Sequence, residues 1–466
     1  MANVPCLNLG NCMALDGGGS SVPLLLPAHH LVTHGVITGM TGSGKTGLIT
    51  VIVEEALRAR VPVLMIDVKG DLPDLLLAFP TFAASAFLPW VEEMLEPGDL
   101  RSPAELAETL AGDRQRALAA WSIREPELRA FHDETVVRVI TPGSTAGESL
   151  HVLSSLEHRS ARWDTDVEAA RPALAAAVSL VLRLLGRDPD PARSREHVLL
   201  SVLAERRLRA GENAPIEALL DDLASPPIET VGALRLDAFL PKSERRALAA
   251  ALNGLLASPT FESWRTGAPL DIGSWLEPVN GKTPAVIVSV AHLDDEERAL
   301  VLGVLLEELL AWTRSLSGSQ KLRALCVFDE VYGFIPPHPA NPPTKRPLVA
   351  LMKQARAFGV GMVLATQNPM DLDYRALGNA GTWCIGRLQT DADRARVIDG
   401  LSGNDAALAK QLGGTVQKLA PRWFVMRDVH AGPKPFLVQP RWAISWLRGP
   451  LTRTELRKAR ELTLTG

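Results

Sequence analysis

The octapeptide GMTGSGKT, Gly39 to Thr46, has the residue types and the spacing to hold a phosphate chain. It fits the pattern G-x-x-x-x-G-K-[ST] and lies between an apolar run, HGVIT, and a helical one, GLITVIVEEALRAR. That strand–loop–helix context is what the pattern requires. The glycines let backbone N–H groups turn inward around phosphates at the positive end of the following helix. The predicted contacts are Gly39, Thr41, Gly42, Ser43, Gly44, Lys45, Thr46 and Gly47, with Lys45 reaching the β- and γ-phosphates and the Thr46 hydroxyl holding Mg²⁺. The pattern arises by chance in roughly one or two per cent of chains this long, and its placement lowers that further. A bound nucleoside triphosphate is the implication.

Hydrolysis needs a carboxylate for the Mg²⁺ shell and a second group to position the attacking water. Two apolar runs end in carboxylates. VLMIDVKGD carries Asp67, close to Lys45 in sequence, and ALCVFDE carries Asp329 and Glu330 side by side. Chemistry favours the second. Asp329 is assigned to Mg²⁺ and Glu330 to water activation, whereas Asp67 is followed by Val68 and Lys69, and a cation there is a poor base. Asp67 is expected to shape a neighbouring strand end. The next run, GVGMVLATQNP, ends in Thr366 and Gln367. Gln367 either senses the γ-phosphate and water or bonds backbone at its strand end.

These side chains need a scaffold that brings strand ends together. Apolar runs alternate with helical patterns at both ends of the chain: HGVITGM, VPVLMIDV and VVRVITPG first, then TPAVIVSVAHL, LRALCVFDE, GVGMVLATQNP and TWCIGRL. Continuous apolar strands alternating with helices predict an α/β fold with a mostly parallel sheet covered on both faces. From about His151 to Val279 such runs nearly vanish, while Leu174, Val178, Val181 and Leu185 repeat at helical spacing. The expected division is an N-terminal segment at 1–33, core at 34–150, an all-helical insertion at 151–279, core again at 280–446 with a terminal hairpin, and a helical tail at 447–466.

Composition bounds the partners. The chain has 466 residues and a formal net charge of −4. A protein that coats DNA by bulk charge is more basic, so any nucleic-acid contact must be local. Four scattered cysteines point to a reducing, cytoplasmic setting, with Cys326 and Cys384 as core thiols and no pattern around Cys6 and Cys12 that completes a zinc site. The longest apolar stretch, ALAAAVSLVL, is too short to cross a membrane. His29, His30 and His34 read as loop and strand-entry residues in preference to metal ligands.

As an ordered set, HGVITGMTGSGKTGL, VLMIDVKGDL, CVFDEVYGF, LMKQARAFGVGMVLATQNP and GTWCIGRL resemble the HerA-like ATPases, relatives of FtsK. The resemblance covers both α/β segments and implies a RecA-like P-loop core using ATP and Mg²⁺. It also implies a homo-oligomer, a hexameric ring that hydrolyses ATP between subunits and moves double-stranded DNA through its centre. By the same resemblance, Lys353 and Arg356 of KQAR and Arg387 of CIGRL are candidates for phosphate contacts, one of them from the neighbouring subunit; a surface salt bridge is the plainer role for either arginine. HerA proper carries a β-barrel ahead of its P-loop. Only about thirty residues stand there in this chain, too few for a barrel, which puts a nuclease partner such as NurA in doubt.

The stretch IPPHPANPPTKRP after Glu330 contains a P-x-x-P pattern, but beside a carboxylate pair it reads better as a stiff loop at a subunit interface than as a polyproline ligand. Three functions compete: a DNA-translocating, helicase-like motor, a conjugation- or secretion-type ATPase, and a non-motor nucleotide switch or scaffold.

Overall fold

A computed structural model describes residues 5–465 apart from 19, 96–99, 370–371, 374–376, 389, 403–404 and 433. The strands in chain order are β1 (Cys6–Ala14), β2 (Val22–Pro27), β3 (Gly35–Thr38), β4 (Val63–Asp67) and β5 (Thr135–Ile140). Four two-residue strands follow, β6 (Leu150–His151), β7 (Thr230–Val231), β8 (Leu234–Arg235) and β9 (Ala268–Pro269). Then come β10 (Thr283–Ser289), β11 (Ala324–Phe328), β12 (Val360–Thr366), β13 (Thr382–Ile385), β14 (Phe424–Asp428) and β15 (Phe436–Pro440).

Among the described residues, eleven strands join in one sheet, ordered β2-β1-β15-β14-β13-β3-β12-β11-β4-β10-β5. Every pairing from β13 to β5 is parallel, and β14, β15, β1 and β2 extend one side antiparallel. The runs VLMID, TPAVIVS, ALCVF and VGMVLAT are buried along their whole length, as expected of strands with helices on both faces. Register aligns Phe328 with Ile66 on one side and Leu364 on the other, and Thr366 with Thr38. The carboxyl ends of β3, β4, β11 and β12 therefore share one edge.

One face is covered by α1 (Lys45–Arg58), whose Leu48, Ile49, Val51, Ile52 and Val53 pack with Val63, Met65, Ile287 and Val327. The helix Asp295–Ser315 lies on the other face. Its apolar residues face all round, and it is buried nearly throughout because the helical region packs on its far side. Leu174, Val178 and Val181 of that region belong to the same core cluster as Ile66, Val286 and Phe328. The helical region thus continues the core of the α/β layers.

Cys6–Ala14 and Val22–Pro27 make the β1–β2 hairpin at the sheet edge, paired to β15 with Gly10 opposite Pro440. At Gly10 φ is +130°, and a Cβ would lie 2.3 Å from the Gln439 carbonyl oxygen, so only glycine fits this close approach. Among the described residues, no helix is long and apolar enough to cross a membrane.

Candidate functional site at the strand ends

The phosphate loop is hung between two strand ends. The Gly39 amide donates to Thr366 O at 3.3 Å after β12, and the Met40 amide to Arg387 O at 2.8 Å after β13. Gly44 caps α1 with φ +93°, and a Cβ there would come within 2.9 Å of Arg422 Cγ. A larger residue would have to push the loop off its neighbour.

Lys45 is buried, and its Nζ lies 2.6 Å from Glu330 Oε1 and 3.7 Å from Asp329 Oδ1. Residues 285 positions apart in sequence meet because β11 lies two places from β3 in the sheet. The same Glu330 oxygen accepts from Lys69 Nζ at 2.7 Å and from Gln367 Nε2 at 2.6 Å. Gln367 Oε1 accepts in turn from the Thr41 hydroxyl at 2.9 Å. Gln367 therefore joins the loop to the carboxylate through its side chain.

The two carboxylates are perturbed in opposite directions. Burial raises the Asp329 pKa, with the Lys45 charge opposing. Burial also pushes Glu330 up, but the Lys45 charge and the bonds from Lys45, Lys69 and Gln367 outweigh it and hold Glu330 below its ordinary value. Lys69, although partly desolvated, is raised by its bond to Glu330. Glu330 also takes a left-handed backbone, φ +53°, a conformation uncommon for non-glycine residues and found at functional sites.

Asp67 stands apart from this oxygen cluster. It is fully buried, accepts from Ser289 Oγ at 2.8 Å and from the Gly70 amide at 2.8 Å, and burial raises its pKa to about 6. Those bonds fix the turn that carries Lys69 towards Glu330. Asp329, just past the end of β11, and Thr46, in the first turn of α1, carry a carboxylate and a hydroxyl, the oxygen ligand types that Mg²⁺ takes.

The two arginines are far from equivalent. Arg387 is exposed, and its own carbonyl holds the phosphate loop. Arg356 is exposed on the turn Ala355–Phe358 that enters β12, whereas Gln367 leaves it. A seven-residue strand spans about 20 Å, so Arg356 and the phosphate loop of its own chain sit at opposite edges of the sheet. The prediction that Arg356 touches phosphate is thereby restricted to a nucleotide on another subunit.

Sequence reasoning passed over Lys69 as a partner of Glu330 and missed Arg422 altogether. The Arg422 amide donates to Ser43 O at 2.8 Å. Its isolated position in LAPRWF carries no local signal.

The three histidines lie at the strand-entry edge. His30 Nδ1 is 2.7 Å from Asp428 Oδ2, and His34 Nδ1 accepts from the Met362 amide. Burial, with the Arg356 charge adding to it, lowers the His34 pKa to about 4. No cluster of three or more His, Cys, Asp or Glu suited to a metal occurs among the described residues.

Residues 7–117 match the family model described as the central domain of helicase HerA. That match takes in the phosphate loop, α1 and β4, the same stretch in which the sequence resembles the HerA-like ATPases. Its fold is similar to VirB4 of Thermoanaerobacter pseudethanolicus, with 13% identity over 94% of this chain and 96% of that one and a TM-score of 0.51. The bacterial conjugative coupling protein TrwB aligns at 13% identity over 96% of this chain and 91% of its own, with a TM-score of 0.44. No curated protein matches the sequence. The large, mostly parallel sheet is that of the RecA-like P-loop ATPases, as the sequence predicted.

Proposed function

We propose that this HerA-like chain hydrolyses ATP at Lys45, Asp329 and Glu330 and uses the cycle to move along double-stranded DNA as a ring of copies. The observation that carries the reading is the meeting of Lys45 with the adjacent carboxylates, 2.6 Å from Glu330 and 3.7 Å from Asp329. Loop amides and Lys45 bind the triphosphate, and Asp329 and Thr46 hold Mg²⁺, which supplies neutralising charge when bound. Glu330 accepts the proton of the attacking water, and its depressed pKa keeps it ionised for that task. Gln367, bonded to both Thr41 and Glu330, links the γ-phosphate side of the loop to the base. Arg387 serves its own subunit's loop, and Arg356, held at the far edge, serves the neighbour's phosphates.

The family match at residues 7–117 supports the motor reading. Its test is the ATPase rate of the intact chain with and without duplex DNA. Strong stimulation is expected. Turnover indifferent to duplex DNA would overturn translocation in favour of a conjugation- or secretion-type motor, and no turnover would favour a switch or scaffold.

A further inference from the structure

The segment from Pro440 to Pro450 runs along α1 and is fastened by two buried carboxylates, Glu54 and Glu55, near the C-terminal end of that helix. Arg441, only 1% exposed, donates to Glu54 Oε2 at 2.9 Å and to Glu55 Oε1 at 3.0 Å. The amides of Ile444 and Ser445 and the Ser445 hydroxyl also donate to Glu54. Arg422 ties the same segment to the phosphate loop: its amide holds Ser43 O, and its guanidinium donates to the carbonyls of Pro440 and Arg441.

This anchored segment nevertheless shows two large apolar side chains to solvent, Trp442 at 48% and Leu447 at 37% exposure. Trp442 has the Arg422 guanidinium stacked over its ring, 3.2 Å from the centroid. Leu447 stands beside the loop, its Cδ1 3.9 Å from where a Cβ on Gly47 would lie. Small-molecule sites combine aromatic and aliphatic lining with a few placed polar groups, and these two side chains stand beside the polar phosphate loop.

Sheet order gives the direction of the ligand. Glu330 follows β11, two places from β3 on one side, and Arg422 precedes β14, two places from β3 on the other. A triphosphate lying in the loop with its γ end at Glu330 therefore directs its nucleoside towards Arg422, Trp442 and Leu447. We propose that Trp442 and Leu447 form the shelf that takes the nucleobase, a purine stacking on the indole with its edge against Leu447. This rests on the reading of GMTGSGKT as a triphosphate site.

The experiment is calorimetric titration of the full chain, and of Trp442→Ala, Leu447→Ser and Trp442→Phe, with ATP and with inorganic tripolyphosphate, which has no base. Loss of one stacking contact weakens binding by about tenfold. Trp442→Ala and Leu447→Ser are expected to lose ATP affinity while keeping that for tripolyphosphate, and Trp442→Phe to retain both. ATP affinity untouched in both truncated variants would overturn the shelf alone. An equal loss for both ligands would assign these residues to holding the loop and also overturn it. Failure of the unaltered chain to bind either ligand would overturn the triphosphate reading and the shelf together.

Discussion

Asp74 shows at the residue scale how tightly the elements around the phosphate loop are packed. Its Oδ2 accepts from the Gly449 amide at 2.8 Å, and burial raises its pKa to about 7. Between the ordinary carboxylate range and that value, the folded chain holds a proton the unfolded chain releases. Stability from this group is therefore full at low pH and is lost as pH rises towards and through about 7. Asp74→Asn keeps an acceptor for Gly449 and removes the charge. Its melting temperature should gain on the unaltered chain as pH rises from 4 to 8, a roughly constant difference being the contrary result. The phosphate loop, Asp329 and Glu330 were legible in the sequence because each is contiguous and ends an apolar run. Lys69 and Arg422 were not: one was judged only as a base, and the other reaches the loop through a fold contact with no spacing to betray it.

Among the elements, the parallel strands were readable because burial on both faces demands uninterrupted apolar runs. The β1–β2 hairpin was not read as part of the sheet, since CLNLGNCMA mixes polar residues with a glycine bulge that only the β15 carbonyls explain. The segment after β15 also hid its role, because its anchor is a single arginine whose partners sit on α1. Glu54 and Glu55 surround Arg441 in the interior, and removing one partner of such a set costs about 3–5 kcal/mol. Arg441→Ala should therefore lower the denaturation midpoint sharply in urea unfolding, and a change within experimental scatter would contradict the anchoring role. The proline arm packs Pro343 against Gly303 of the helix Asp295–Ser315, and Thr344 bonds Phe334 O. It is a fixed connection from Glu330 to the helix Lys345–Gln354 that ends beside Arg356.

For the molecule as a whole, the opposite placement of Arg356 and the phosphate loop makes assembly part of the chemistry. If Arg356 completes a neighbour's site, Arg356→Ala and Lys45→Ala chains, each inactive alone, should recover part of the ATPase rate when mixed. No recovery, with a strictly monomeric mass in the presence of ATP, would contradict the shared site. Everything depends first on whether Lys45, Asp329 and Glu330 form one hydrolytic centre. The direct measurement is steady-state ATP turnover of Glu330→Gln beside its ATP affinity, because glutamine keeps the shape and the acceptor but cannot take the proton. Removing a general base lowers turnover by about 10²–10⁴-fold, and the ATP dissociation constant should stay near that of the unaltered chain. Turnover undiminished in Glu330→Gln would contradict the assignment.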